Sequence, residues 1–229
     1  MKFKPITTKN RLVTSALMGL GMTAPMSASA LTIDINTYVT GSPASGTEAS
    51  VATLILTQNG TNVDFRFNNT VNNLPENIGD DAYISQLLFS YEGSADLTNA
   101  SFSNFGGTQQ VDDIDMHKSN AGYDFYVDLE YPTKSGERFV DGEYTTWTIN
   151  GVSVDNFLVS VPGSGPDSLA MVHIQQVGAG PGGEDSLKYV GGISNPPIDH
   201  PQNPVPEPGS LALMGIGLLG LGAMRRGKK

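Results

Sequence analysis

The chain has 229 residues, with 23 acidic and 13 basic side chains, three histidines and no cysteine. Without cysteine there is no disulfide, no thiol catalysis, no c-type haem, no iron–sulfur cluster and no Cys-ligated zinc. The charge is uneven: between Leu31 and Pro208 five basic residues stand against all 23 acidic ones, a net charge of −18 compared with −10 for the whole chain. Such a surface repels phosphate backbones and anionic lipid, so nucleic-acid binding is excluded. It suits solubility outside a cell, divalent cations, or a neutral or cationic polymer.

The first thirty residues read as an export signal. Lys2, Lys4, Lys9 and Arg11 precede an apolar run from Leu12 to Thr23, and Ala28-Ser29-Ala30 forms an A-x-A cleavage site. This pattern predicts a signal peptide over 1–30, taken by the Sec translocon and cut after Ala30. The run is short and Pro25 interrupts it, which argues against an uncleaved membrane helix.

Residues 31–193 carry period-two patterns separated by turn residues, and almost no helical period. Leu31 to Asn36 alternates, and 41–46 is a loop. Ser50 to Gln58 leads into Asn59-Gly60 and then Val63-Asp64-Phe65-Arg66-Phe67, the clearest hairpin signal in the chain. Asn-Gly there predicts a type I′ turn. Pro75 and Gly79 mark a long connection, and Tyr83 to Tyr91 is a strong strand. Leu97 to Phe105 forms a short one, and 106–120 reads as polar loop.

Tyr123 to Tyr131 alternates so that Tyr123, Phe125, Val127, Leu129 and Tyr131 share one face. Tyr144 to Ile149 surrounds Trp147. Asn150-Gly151 predicts a tight turn into Val152-Ser153-Val154, with Phe157 to Val159 extending the pairing. Leu169 to Val177 is the last strong strand, and the glycines at 178–183 and 191–192 read as loops. Eight to ten short strands predict an all-β domain, an antiparallel β-sandwich of Greek-key or jelly-roll type.

Candidate chemistry within the domain is sparse. Neither a nucleophile elbow nor a metalloprotease spacing occurs. His200 is solvated, and His173 reads as a partly buried strand residue rather than a ligand. Asp112, Asp113 and Asp115 are the local candidate for a Ca²⁺ site, because hard cations prefer clustered oxygens, against an ordinary solvated acidic loop. Asp124, Asp128 and Glu130 share the polar face of one strand, where a glycosidase pair has to be weighed against a solvated surface. Trp147 with Tyr144 offers a sugar-stacking platform or, alternatively, core. The expected role is non-catalytic, with no resident cofactor unless Ca²⁺ binds. A carbohydrate-binding module is the first alternative and a secreted hydrolase the second.

Prolines recur through 194–204, which predicts an extended stalk. Val205-Pro206-Glu207-Pro208 follows, then sixteen uncharged residues from Gly209 to Met224, then Arg225, Arg226, Gly227, Lys228 and Lys229. As a helix the uncharged run spans about 24 Å, somewhat short of the bilayer core, and the basic end stays cytoplasmic. This order of Pro206-Glu207-Pro208, transmembrane helix 209–224 and basic end resembles the PEP-CTERM sorting signal of Gram-negative bacteria, over 205–229. The resemblance implies processing by the membrane protease exosortase. The precursor would be anchored in the inner membrane by its C-terminal helix, and the product would reach the cell surface or the medium. It also implies a setting of exopolysaccharide and biofilm.

Overall fold

The computed structural model describes residues 30–42, 48–75, 78, 81–178 and 185–193. The signal peptide up to Ser29, the stalk, the sorting motif and the helix expected at 209–224 lie outside these residues. Among the described residues no helix is long and apolar enough to cross a membrane.

Ten strands carry the fold. They are β1 (Ala30–Gly41), β2 (Ala52–Asn59), β3 (Asn62–Asn69), β4 (Tyr83–Phe89) and β5 (Phe102–Gly107). The others are β6 (Asp113–Asn120), β7 (Tyr123–Glu130), β8 (Tyr144–Ile149), β9 (Ala170–Val177) and β10 (Asp185–Ile193). They form one antiparallel sheet in the order β5-β8-β3-β2-β1-β10-β9-β4-β7-β6.

The all-β expectation holds, but the strands are not divided between two separately hydrogen-bonded sheets. One sheet curls over on itself. Phe65 of β3 and Phe89 of β4 are five strands apart in the sheet order, yet their rings lie 5.7 Å apart. Phe67 of β3 likewise meets Tyr131 across the fold at 6.1 Å. The curl has a local cause. Register shifts interrupt β1 against β10 after Ile35 and after Tyr38, and β4 against β9 after Ile84. A bulge bends its strand and increases the twist, so several in the middle of a sheet bring its two ends round. Gly191 sits at the first of these places. A Cβ there would lie 2.1 Å from the Asp34 carbonyl oxygen, so only glycine permits that approach.

The concave side is filled by one apolar core to which every strand except the polar edge strand β6 contributes fully buried residues. At its centre Trp147 stacks on Phe65 with ring centroids 5.1 Å apart, and Phe157 meets Phe65 edge-on at 5.0 Å. Such aromatic pairs contribute about 0.5–1.5 kcal/mol each beyond the area they bury. Part of the convex side is covered as well. There Leu88, Tyr123, Phe125, Met171 and Val190 form a second apolar cluster beneath the segment 161–168. The Tyr123 hydroxyl donates to Pro166 O at 2.9 Å and accepts from Gly165 N–H at 3.0 Å. With Arg138 over the Tyr83 ring at 4.5 Å and Gln86 held by Asp128 and Asn120, β4 is buried along its whole length.

Several expectations are corrected. The β2–β3 hairpin forms, but Asn59 pairs with Asn62, so the two loop residues are Gly60 and Thr61. Only Gly60 has positive φ, at 61°, which is the type II′ arrangement rather than I′. After Asn150-Gly151 no strand follows. Ser153 caps a 3-10 turn over Val154–Phe157, its backbone N–H held by Asn156 Oδ1 at 2.8 Å. The side chain of a serine competes for local backbone groups, and here that wins over sheet pairing.

The stretch read as polar loop at 113–120 is the edge strand β6, whose only apolar inward residues, Ile114 and Met116, are half-buried against the core and too few to betray it. β10 lies at the centre of the sheet between β1 and β9, although glycines occupy two of its positions. The face expected to join Tyr123, Phe125, Val127 and Leu129 is divided. Val127 and Leu129 enter the main core, while Tyr123 and Phe125 enter the convex cluster. The switch falls where His117, at φ 60°, packs its ring on Tyr126 at 4.3 Å.

Candidate functional site

Two places on the convex surface concentrate polar chemistry. The first lies on β2, β3, β5 and β8, where the outward residues of β3 are Asp64, Arg66 and Asn68 because Val63, Phe65 and Phe67 face the core. Asp64 and Arg66 line a shallow groove of about 510 Å³ together with Thr57, Asn104, Thr146 and Thr148. Arg66 lies over the Tyr144 ring at 3.7 Å and donates from Nε to Asn68 Oδ1 at 2.8 Å. The Asp64 carboxylate is fully engaged. Its Oδ1 accepts from Thr148 Oγ1 at 2.7 Å and its Oδ2 from Asn59 Nδ2 at 2.8 Å. Amides, hydroxyls and one guanidinium on a rigid sheet can exchange hydrogen bonds with a neutral polyol.

The sugar-stacking platform does not exist. Trp147 is 1% exposed and points into the core, and Tyr144 is half-buried beneath Arg66. Alternation along β8 decides this, because Trp147 shares the inward parity of Thr145 and Ile149. Trp147 Nε1 has no hydrogen-bond partner in that core.

The second place is on β6 and β7. Asp115, Asp128 and Glu130 bring one carboxylate oxygen each to within 4.8 Å of one another. Cross-strand register places them, since Asp115 stands opposite Asp128 and Glu130 is two residues along the same face of β7. The Lys118 ammonium lies 3.9 Å from Asp115, 3.6 Å from Asp128 and 3.7 Å from Glu130. Asp128 is completely buried. Its Oδ2 accepts from Gln86 Nε2 at 2.7 Å, and Gln86 Oε1 in turn accepts from Asn120 Nδ2 at 3.0 Å. Burial raises the Asp128 carboxyl to about 6. The Gln86 bond opposes the rise, Glu130 adds to it, Lys118 opposes it and Asp115 adds to it.

The trio read from sequence is therefore not the trio that converges. Asp112 precedes β6, with its backbone N–H on Glu130 O at 2.8 Å. Asp113 is exposed, and its carboxylate accepts from the backbone N–H of Ile114 at 2.8 Å. Only Asp115 joins the cluster. Asp124, grouped with Asp128 and Glu130 by strand parity, is exposed and holds the Ser119 hydroxyl instead. A sequence signal for the real trio existed in outline, as acidic residues on two adjacent patterned segments. Their register, and β6 itself, were not visible.

His173 is half-buried on β9 opposite Lys188 of β10. Burial lowers its pKa, and Lys188 adds to the effect. His117 lies in β6 with its ring on Tyr126, and His200 lies outside the described residues.

The tail provides a link to known proteins. A model of the PEP-CTERM protein-sorting motif matches residues 204–226, which takes in Pro206, Glu207 and Pro208, the uncharged run, and Arg225 and Arg226. No curated protein and no solved structure matches the chain. The motif marks an exported, membrane-anchored protein that exosortase sorts and processes. It says nothing about the sheet.

Proposed function

We propose that this chain is a non-catalytic surface or matrix protein of an exopolysaccharide-producing bacterium. The Sec translocon exports it, signal peptidase cuts after Ala30, and exosortase removes the helix at 209–224 near Pro206-Glu207-Pro208. The basic end Arg225, Arg226, Lys228 and Lys229 holds the precursor's orientation from the cytoplasmic side. The observation that carries this reading is the sorting motif over 204–226 on a chain whose domain is a small β-sheet fold.

Two features of the domain support a binding rather than a catalytic role. Asp128, the carboxyl with the raised pKa, exposes no surface of its own for a polymer substrate to contact. Asp64, in the groove, spends both oxygens on neutral donors. The groove beside Arg66 is the surface that suits a neutral polysaccharide.

Intact mass of the protein from native cells and from medium tests the reading. The expected product runs from Leu31 to the region of Pro206–Pro208 and disappears, in favour of a membrane-bound precursor ending at Lys229, when exosortase is deleted. A chain still ending at Lys229 in normal cells refutes the sorting step. For the domain, retention on immobilised exopolysaccharide is expected to fall at least several-fold in Arg66→Ala. Equal retention of that variant rejects the groove.

A further inference from the structure

We propose that Asp115, Asp128 and Glu130 form a binding site for a hard divalent cation, Ca²⁺ by preference, for which the Lys118 ammonium competes. The inference rests on the sheet alone and is independent of the sorting reading. Three carboxylates held within 4.8 Å of one another repel, and a single ammonium leaves two negative charges uncompensated. That ammonium is also not in close contact. Its distances of 3.6 to 3.9 Å exceed the roughly 2.7–2.9 Å of a charge-assisted hydrogen bond.

The independent sign of a ligand is Asp128 itself. Its side chain is entirely buried, and its Oδ1 has no hydrogen-bond partner. A buried carboxylate oxygen without a donor is costly, whereas a metal ion would satisfy it directly. The Asn120–Gln86 relay behind Asp128 fixes the carboxylate's orientation, which is the service that outer-shell hydrogen bonds give to metal ligands. Asp115 and Glu130, with side chains 54% and 44% exposed, leave one side open to water and to an arriving ion. Ca²⁺ accepts six to eight oxygens in irregular geometry, so three carboxylates and several waters suffice. Mg²⁺ demands a stricter octahedron and gives up its waters reluctantly. Lys118 is half-exposed on a long side chain, and it can withdraw as the ion enters.

The test uses the full chain in detergent, stripped with a chelator and titrated with CaCl₂ alone, read by calorimetry and by thermal unfolding. One saturable site per chain is expected, in the range of about 10⁻⁴–10⁻³ M found for extracellular modules, with a Ca²⁺-dependent rise in Tm. Asp115→Asn with Glu130→Gln, both at exposed positions that the fold tolerates, is expected to weaken binding more than about tenfold. Lys118→Met is expected to tighten it by roughly tenfold through loss of the competing charge. Absence of saturable binding up to about 10 mM overturns the proposal. So does binding that the double variant leaves unchanged, because the ion would then sit elsewhere. An unaltered affinity in Lys118→Met overturns the competition.

Discussion

Asp64 and Asp128 are two aspartates on the convex side of the same sheet, and the sheet treats them differently. Asp64 lies in an open groove, and each of its oxygens accepts from a neutral donor, Thr148 and Asn59. Asp128 lies beneath the surface and receives one donor, Gln86, while Asp115 and Glu130 crowd the same place. One carboxylate has both oxygens satisfied by hydroxyl and amide donors, the other stands among surplus negative charge with one oxygen unsatisfied. The difference teaches where to look for a partner. The Asp64 groove can only exchange hydrogen bonds, whereas the Asp128 cluster gains most from an added positive charge.

Substitutions can break or sharpen this contrast. The largest effect belongs to the core behind the Asp64 groove. Trp147→Ala removes the ring stacked on Phe65 and is expected to cost about 3–5 kcal/mol in chemical unfolding. A loss below about 1 kcal/mol would mean that the groove is not built on that stack.

Asp128→Asn comes next and has a pH signature. The native carboxyl titrates at about 6, above the ordinary 3.8, so the folded state holds its proton more tightly than the unfolded state. Stability from this residue is then complete at low pH and is lost as pH rises between those values. In Ca²⁺-free buffer Asp128→Asn is expected to stabilise the fold by roughly 1–3 kcal/mol at pH 7.5 and by nearly nothing at pH 4. Destabilisation at pH 7.5 would show that Lys118 already compensates the charge.

Tyr123→Phe leaves Gly165 N–H and Pro166 O without their shared partner under the convex lid. A loss of about 1 kcal/mol is expected, with faster hydrogen exchange confined to 161–168. Asp64→Asn should be the mildest. One of its two donors loses its acceptor near solvent, for less than about 1 kcal/mol. A change in stability at Asp64 as large as that at Asp128 would erase the contrast.

Much of this molecule was legible in the chain because it is written locally. The alternation of Val63, Phe65 and Phe67 set a strand and its buried face, and Gly60 set the turn before it. Export and sorting are local too: basic ends, apolar runs and the Pro206-Glu207-Pro208 tripeptide need no tertiary contact to be read, and the family match over 204–226 supports the second of them. What could not be read depends on which strands pair and where they slip. β6 turns only Ile114 and Met116 to the core because it is an edge, and β10 hides its centrality behind Gly191, whose missing side chain admits the backbone of Asp34.

By itself, then, the sequence determined an exported acidic all-β chain with a sorting tail, since composition and short-range period suffice for that. Only the tertiary structure decided that the strands make one curled sheet, that Trp147 points inward, and that Asp115 rather than Asp112 or Asp113 meets Asp128 and Glu130. The physical reason is register. A one-residue slip or a bulge moves a side chain to the other face, and its position is fixed by the summed packing of distant strands, not by the residues beside it.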